Sequence, residues 1–549
     1  MNKGGGVGLR DHVLGAALCV GYVALLLYTA PALGLARDEA MYVHAAESYG
    51  RWYTLLFSEP STALRPEVID RFWQVNHEHP ALAKTLFAWS HLLDQQLGLF
   101  SRESLAFRFP GMLSAGLLLW LIHVFGTHLF GRTAGLFAAC AYALLPRPFY
   151  HAHLYAFDVP ITLAVTAVAY AYLRSLRDWR WALWTGVLFG CALATKHNSW
   201  VLPGIFALHF ALAVALDRWR GARALSAVPY WLFAMLALGP LLFVGGWPWL
   251  WHDTLARFGR YAAFHLHHEY YNMEYFGVNY FWPPFPSSYA WVMTAFTVPV
   301  TTLMCALFGV AVAVRTTLAG LRRSAAHAAE SDPRQPVVLL LGCLLAPLVI
   351  ISLPSTPIFG GTKHWFTAYP FLALFAGLGF TRAVEGFRAA LSERRAWLRR
   401  VVVAPAFAGL LAPAAVETAH SHPFALSHYG MLAGFVPGAA ELGMNRQFWG
   451  FTTGSLVDFL NARLPDGGRV YLCDTLDGAF RMLANDALLS PNIIATPNIA
   501  DADLALVHHE HHFVEVDHQI WTTYGSTKPT YVLTYDGVPI ISVYANPKR

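Results

Sequence analysis

Charge is what this sequence has least of. Only 13% of its 549 residues are Asp, Glu, Lys or Arg, against about 25% in an average soluble domain. A soluble chain of this size could not cover itself with so few charges, so that class is excluded. Cysteine is scarce as well: Cys19, Cys140, Cys191, Cys305 and Cys343 sit in apolar runs, where the thiol behaves as a small hydrophobe, and Cys473 stands alone near the C-terminus. A disulfide framework within the C-terminal part is therefore excluded. That part also lacks a glycine-rich nucleotide loop and a nucleophile elbow, which makes it read as an accessory domain. Internal repeats are missing, and Gly4–Gly6 is the nearest approach to low complexity.

What is present is hydrocarbon: 56% of the residues are Ala, Val, Ile, Leu, Met, Phe, Trp, Tyr or Cys. Runs of roughly the 20 residues that cross a bilayer fall at 13–33, 105–128, 134–147, 157–173, 181–196, 199–216, 227–247, 290–314, 337–353, 365–382 and 401–416. The fold class is an α-helical polytopic membrane protein of about 11 transmembrane helices. With the N-terminus inside, alternate loops hold the arginines: Arg132; Arg174, Arg177 and Arg180; Arg218, Arg220 and Arg223; Arg315, Arg322, Arg323 and Arg334; Arg382, Arg388, Arg394, Arg395, Arg399 and Arg400. Their agreement in register follows the positive-inside rule and places the N-terminus in the cytoplasm.

Three outer segments are too long for plain connectors: 34–104, 248–289 and 417–549. The expected organisation is a membrane domain over 1–416 and a C-terminal outer domain over 417–549. In the first loop, Met41, Ala45, Tyr49, Trp52 and Tyr53 recur at helical steps, as in an interfacial helix. In the last segment a helix ("GSLVDFLNARL"), buried strands ("RVYLCD", "ADLALVHH") and a hairpin about Asp536-Gly537 predict a small α/β domain.

Polar clusters stand at the outer ends of the spans: Arg37-Asp38-Glu39, "NHEHPALAK" (76–84), Arg108, "RPFYHAHLYAFDVP" (147–160), "TKHN" (195–198), "FHLHHEYYNMEYFG" (264–277) and "GGTKHW" (360–365). Ionisable groups near hydrocarbon are expensive and are usually functional or paired. A one-sided ring of them predicts a cavity that binds an anionic head group while an attached lipid stays in the bilayer. Transfer from a lipid-linked phosphosugar needs a carboxylate to take the acceptor's proton and cations for the departing phosphate. Asp38, with Lys84 and Arg108, fits those parts. Each residue also has a plainer reading. Asp38 and Asp158 suit helix caps, Lys84 a snorkelling side chain, and Arg108, Lys196, His197, Lys363 and His364 span-end residues.

Here a family resemblance enters. Asp38-Glu39 followed by His79-Pro80-Ala81-Leu82-Ala83-Lys84 resembles the Asp-Glu and His-Pro-Pro-Leu-Gly-Lys motifs of protein O-mannosyltransferases. "FRFPGMLSAGL" (107–117) is similar to the segment opening the second span there and in the lipid A aminoarabinose transferases. "HLYAFDVPITLAVTAVAYAY" (153–172) and "GTKHWFTAYPFLALFAG" (361–377) resemble later motifs of that group. The resemblance covers residues 10–385 and implies the GT-C superfamily of polyprenyl-phosphate-sugar-dependent glycosyltransferases. It further implies Asp38 as base of an inverting displacement, Glu39 positioning it and Asp158 orienting acceptor or sugar. Lys84, Arg108, Lys363 and His364 would take the donor phosphate, with His79, Lys196 and His197 as further site candidates. The partners implied are a polyprenyl-phosphate sugar, a lipid, glycan or protein acceptor and membrane lipids, with no nucleic acid. Pro-Pro-Leu-Gly is Pro-Ala-Leu-Ala here, so mannose does not follow from the resemblance, and the C-terminal part does not resemble a β-trefoil insertion.

No cofactor is required by this reading. The histidines leave room for a divalent metal on Glu78 and His267, since carboxylate and imidazole suit zinc, and "VHHEHHFVEVDH" (507–518) is a second such stretch. Arg-over-Lys, Ala-rich usage points to a bacterial inner membrane with the C-terminal domain in the periplasm. The rival class is a transporter or flippase of a lipid-linked substrate, which calls for midplane polar groups and repeated halves.

Overall fold

In hydrocarbon every backbone N–H and C=O must find its partner inside its own segment, so apolar runs become helices. The computed structural model describes residues 6–219, 228–321, 334–391 and 396–549, and each of the eleven runs falls on helix. Arg220, Arg223, Arg322, Arg323, Arg394 and Arg395 lie outside the described residues. Among the described residues, five helical segments are individually long and apolar enough to cross a membrane: Leu9–Ala32, Glu103–Phe130, His197–Trp219, Val300–Ala319 and Gly361–Ala390. Large apolar side chains stand exposed on them and their neighbours, including Val20, Leu208, Leu236, Leu241, Met304 and Leu307.

The runs do not all translate into uniform helices. The run 290–314 is split into Tyr289–Thr297 and Val300–Leu321, with Val298 extended in front of Pro299. Proline lacks an N–H and drives the residue before it out of the helical region. The run 134–147 is Arg132–Ala143 followed by the short helix Pro146–His151. Helix Gly361–Ala390 opens as a 3₁₀ turn over Gly361–Ala368 and continues as Tyr369–Ala390, buried without a break from Tyr369 to Phe380.

Small residues let this central helix approach its neighbour. A Cβ added to Gly379 would lie 1.9 Å from the Cys305 carbonyl oxygen, and one on Gly309 would lie 1.9 Å from that of Phe375. Backbones in that proximity leave no room for a side chain, and close approach through glycine is how membrane helices gain packing without a hydrophobic drive between them.

The first outer loop folds as helices Arg37–Ser58, Pro66–Trp73 and Leu82–Leu97. The aromatic stripe turns mostly inward: Tyr49 stacks on Trp73 with ring centroids 4.0 Å apart, and the Trp52 Nε1–H donates to the Ala63 carbonyl at 3.0 Å. Met41, Phe57 and Trp89 remain exposed at the rim. Helix Val403–Ser421 runs through the boundary expected at 416. Beyond it lies a five-stranded sheet in the order Ile493–Thr496, Gly468–Tyr471, Leu504–His508, Val538–Ala545, Tyr531–Tyr535. The first three strands are parallel and the last two join antiparallel. Asp536 and Gly537 both take positive φ, as a two-residue hairpin turn requires.

The close helix crossing generates a test. Gly379→Leu is expected to force Val300–Leu321 and Tyr369–Ala390 apart and to lower the thermal unfolding temperature in detergent. Gly409→Leu, where nothing lies within 4 Å of an added Cβ, is expected to leave it near wild type.

Candidate functional site

The site grows from the first turn of helix Arg37–Ser58. Glu39 is the third residue of that helix and reaches back, accepting the Ala36 N–H at 2.8 Å. The same carboxylate is gripped by Arg108 of helix Glu103–Phe130, whose Nε and Nη2 each donate to it at 2.9 Å. Arg108 Nη1 also donates to the Leu33 carbonyl at 3.2 Å and Nη2 to that of Gly34 at 2.8 Å. Arg108 is 1% exposed and Glu39 fully buried. This corrects two expectations. Glu39, not Asp38, is the helix cap, and Arg108 has its donors committed to the chain, away from a donor phosphate.

Lys84 is corrected in the same way. Its ammonium, fully buried, donates to the Asn76 carbonyl at 2.5 Å, the Asn76 Oδ1 at 3.1 Å and the His79 carbonyl at 2.8 Å. The Tyr49 ring lies 5.3 Å away. Lys84 therefore knots the loop that carries Glu78 and His79, and it does not face a ligand. Burial pulls it down to about 7, opposed only by the charge of Glu78.

Freed from capping, Asp38 points into a cavity of about 1160 Å³. Lys363 Nζ donates to its Oδ2 at 3.0 Å, and Arg37 Nε stands 3.7 Å from its Oδ1. Burial pushes the Asp38 carboxyl up, but Lys363 and Arg37 outweigh burial and hold it below the usual carboxylate range. Lys363 also rests over the Trp449 ring at 4.3 Å. A second pair stands beside the first: Lys196 Nζ donates to Asp158 at 2.8 Å, and His151 Nδ1 lies 3.4 Å from the other Asp158 oxygen. Lys196 lines the cavity, with Asp158 buried behind it.

His79, His197 and His364 line the same space, joined by His265. His197 and His265 stack with centroids 4.0 Å apart, and Nδ1 of His79, His197 and His265 is buried without a hydrogen-bond partner. The His364 ring is tied to the Phe359 backbone. Glu78 is on the wall but His267 is not, and His267 Nδ1 faces the Ala263 carbonyl at 3.3 Å. Among the described residues no three His, Cys, Asp or Glu side chains gather as a metal would need. Glu78 and His267, the pair expected to hold a metal, do not gain the further ligands that one needs. Trp200, Val201, Pro347, Ile350 and Ile351 make one side of the cavity apolar, and Ile350 is 39% exposed on the helix surface.

The C-terminal part closes the cavity, which sequence reasoning missed. Asn445, Phe448, Trp449, Asp474, Glu510 and His512 line it. Arg37 Nη1 donates to Asp474 Oδ1, and the Arg37 N–H donates to the Trp449 carbonyl at 2.7 Å. Burial pushes Asp474 up to about 6, against Arg37; burial and the neighbouring Asp474 push Glu510 well above the carboxylate range. The available signals were an Asp at the end of a buried strand ("RVYLCD") and a Glu amid histidines ("VHHEHH").

Known proteins place this architecture. Residues 84–247 match the family model for dolichyl-phosphate-mannose-protein mannosyltransferases. Among solved structures, apo ArnT from Cupriavidus metallidurans is similar at 14% identity and a TM-score of 0.50, over 96% of this chain and 97% of that one. The oligosaccharyltransferase AglB from Archaeoglobus fulgidus, in complex with an inhibitory peptide and a dolichol-phosphate, is similar at 11% identity and a TM-score of 0.51, over 94% of this chain and 71% of that one. No curated protein matches the sequence. The likeness is one of fold: this chain shares the helical membrane architecture of those two proteins, with a small C-terminal sheet domain.

Two outcomes test the framework of the site. Glu39→Ala or Arg108→Ala strands a buried charge at a cost of about 3–5 kcal/mol, so each is expected to lower the unfolding temperature sharply. Glu39→Leu with Arg108→Met is expected to recover most of the loss. Lys84 binds its proton less tightly folded than unfolded, so between about pH 7 and the ordinary 10.5 the unfolded chain holds the extra proton and stability rises with pH. Thermal unfolding across that window is expected to show the rise in wild type and to lose that share of it in Lys84→Met.

Proposed function

We propose that this chain transfers a single hexosyl or pentosyl group from a polyprenyl-phosphate donor to an acceptor hydroxyl, with inversion and with Asp38 as base. One observation carries the reading: the ion pairs Asp38–Lys363 and Asp158–Lys196 stand at one cavity that is polar on one side and apolar on the other. An anionic head group with a lipid tail has that polarity.

The steps follow from the pairing. Donor phosphate entering between Lys363 and Lys196 competes with the carboxylates for the two ammoniums. Lys363 drawn toward phosphate leaves Asp38 ionised and less occupied, ready to accept a proton. The acceptor O–H gives its proton to Asp38, its oxygen bonds to the anomeric carbon, and the bond from that carbon to the phosphate oxygen breaks with its electron pair. The lysines take up the charge left on polyprenyl phosphate. Asp158 and His151 hold Lys196 in position, and His364, bound to the Phe359 backbone, shapes the loop that carries Lys363. Glu39 and Arg108 act at one remove, fixing the helix turn that aims Asp38.

The arginine-rich loops on the opposite side support a cytoplasmic N-terminus and a cavity on the outer face of a bacterial inner membrane. The C-terminal domain is then periplasmic. The carboxylates gather at one end of the helices and not along a path through them, which favours a transferase over a flippase.

The test follows polyprenyl phosphate released by the purified protein in vesicles loaded with a panel of radiolabelled polyprenyl-phosphate sugars, with acceptors varied. Asp38→Asn, which keeps the shape but cannot take the proton, is expected to lose about 10²–10⁴-fold in rate. Lys363→Ala and Lys196→Ala are expected to raise the KM for the donor. Equal release by wild type and Asp38→Asn would return Asp38 to a structural role.

A further inference from the structure

The two lysines at the proposed phosphate position do not by themselves attract an anion. Lys363 is paired with Asp38 and Lys196 with Asp158, so these four groups together carry no net charge. Arg37 is likewise shared between Asp38 and Asp474. A net attraction for a charged head group has to come from a cation that no carboxylate neutralises.

Arg147 is such a cation. It stands on the short helix Pro146–His151 and is 1% exposed. Its Nε and Nη1 are buried without hydrogen-bond partners, and Nη2 lies 3.4 Å from the His428 carbonyl oxygen. Among the described residues no carboxylate oxygen comes within 4.0 Å of the guanidinium, and Glu417 faces His428 Nε2 instead, at 3.4 Å. The Tyr429 and Phe448 rings each have their centroid 5.1 Å from Cζ, which eases the charge without neutralising it. A buried charge left uncompensated is strongly destabilising. Lys84, also buried, can give up its proton near neutral pH, since burial pulls it down to about 7. A guanidinium has no such escape.

Arg147 stands behind the cavity wall. Phe448 lines the cavity with its ring against Arg147. The turn Gly360-Gly361, with positive φ at both residues, comes between Arg147 and Lys363. A Cβ on Gly360 would lie 3.0 Å from Lys363 Nζ, and one on Gly361 would lie 3.1 Å from Arg147 Nη1. Adjacent residues touching the two cations in this way hold them no more than about 13 Å apart.

Resting on the transferase reading, we infer that Arg147 is the counter-charge of the donor's phosphate, acting across Phe448 and the glycine turn without touching the substrate. An anion between Lys363 and Lys196 is then held in proportion to its charge. Salt screens a buried charge little. At about 10 Å and an effective dielectric constant of about 20, the effect is about tenfold in binding per unit of ligand charge. In the transfer step the acceptor's proton passes to Asp38 as the phosphate gains its second negative charge, so the summed charge of Asp38 and phosphate does not change. Arg147 therefore acts on binding and not on the step. Once Asp38 has lost that proton again, the departing polyprenyl phosphate is held more tightly than the donor was.

The test is binding at pH 8 of three ligands that share a chain and differ in charge. They are farnesol, methyl farnesyl phosphate with one negative charge, and farnesyl phosphate with two, since the second pKa of a phosphate monoester is about 6. The full chain in lipid nanodiscs is titrated by calorimetry, with protein-free nanodiscs as the blank. Wild type is expected to bind the three in order of their charge. Arg147→Met is expected to raise Kd about tenfold for the diester and about a hundredfold for the monoester, and to leave farnesol unchanged. A residue that only packs the fold would weaken all three alike. Melting curves establish folding. Where Arg147→Met does not fold, Tyr429→Glu takes its place: it sets a carboxylate beside the guanidinium, cancels the charge without removing it, and is expected to give the same graded loss. The inference is overturned if wild type does not prefer the phosphates to farnesol, if the variant leaves their Kd unchanged, or if it weakens all three by one factor. A graded loss without donor cleavage would sink the transferase reading alone; donor cleavage with an unchanged KM in Arg147→Met would sink the role of Arg147 alone.

Discussion

The fold of the site hangs on one buried ion pair. Arg108 and Glu39 come from different helices, meet through two hydrogen bonds, and leave each guanidinium nitrogen with a partner in the chain. Charges taken out of water repay that cost only when geometry and additional hydrogen bonds are this complete. The result is a rigid corner between the first span, the first outer helix and the second span. Asp38 is aimed by that corner, because its neighbour Glu39 cannot rotate without breaking it. Lys84 does the equivalent for the loop at 76–79, so two of the cations nearest the site are spent on shape.

This division of labour between framework and chemistry explains what could be read from residues alone. The apolar runs were legible because bilayer thickness and backbone hydrogen bonding leave a chain few options. The hairpin about Asp536-Gly537 was legible because two successive positive φ values demand such residues. The motif residues Asp38, His79, Lys196, His197, Lys363 and His364 do come to one cavity.

What was not legible depends on helical phase and on partners distant in sequence. Glu39 and Asp38 are adjacent and chemically alike, yet a rotation of about 100° per residue along a helix sends one into the protein and the other into the cavity. Arg108 and Lys84 carry the charge a phosphate needs, but their surroundings are carbonyls and a carboxylate of the chain itself. The share of the C-terminal domain in the cavity was hidden for a different reason. Asp474 and Glu510 acquire a role only through Arg37, more than four hundred positions away, and no local pattern encodes such a meeting.

That meeting has a consequence for how the protein comes to life in the cell. The backbone of Arg37 is bonded to Trp449, and its side chain to Asp474. The first outer helix is made more than four hundred residues before the wall that completes the chamber. The Asp38 carboxylate thus stands in an open, half-built vestibule until the later segment has folded over it. Synthesis itself sets the moment at which the chamber closes, and a truncated chain that inserts correctly into the bilayer still lacks that closure.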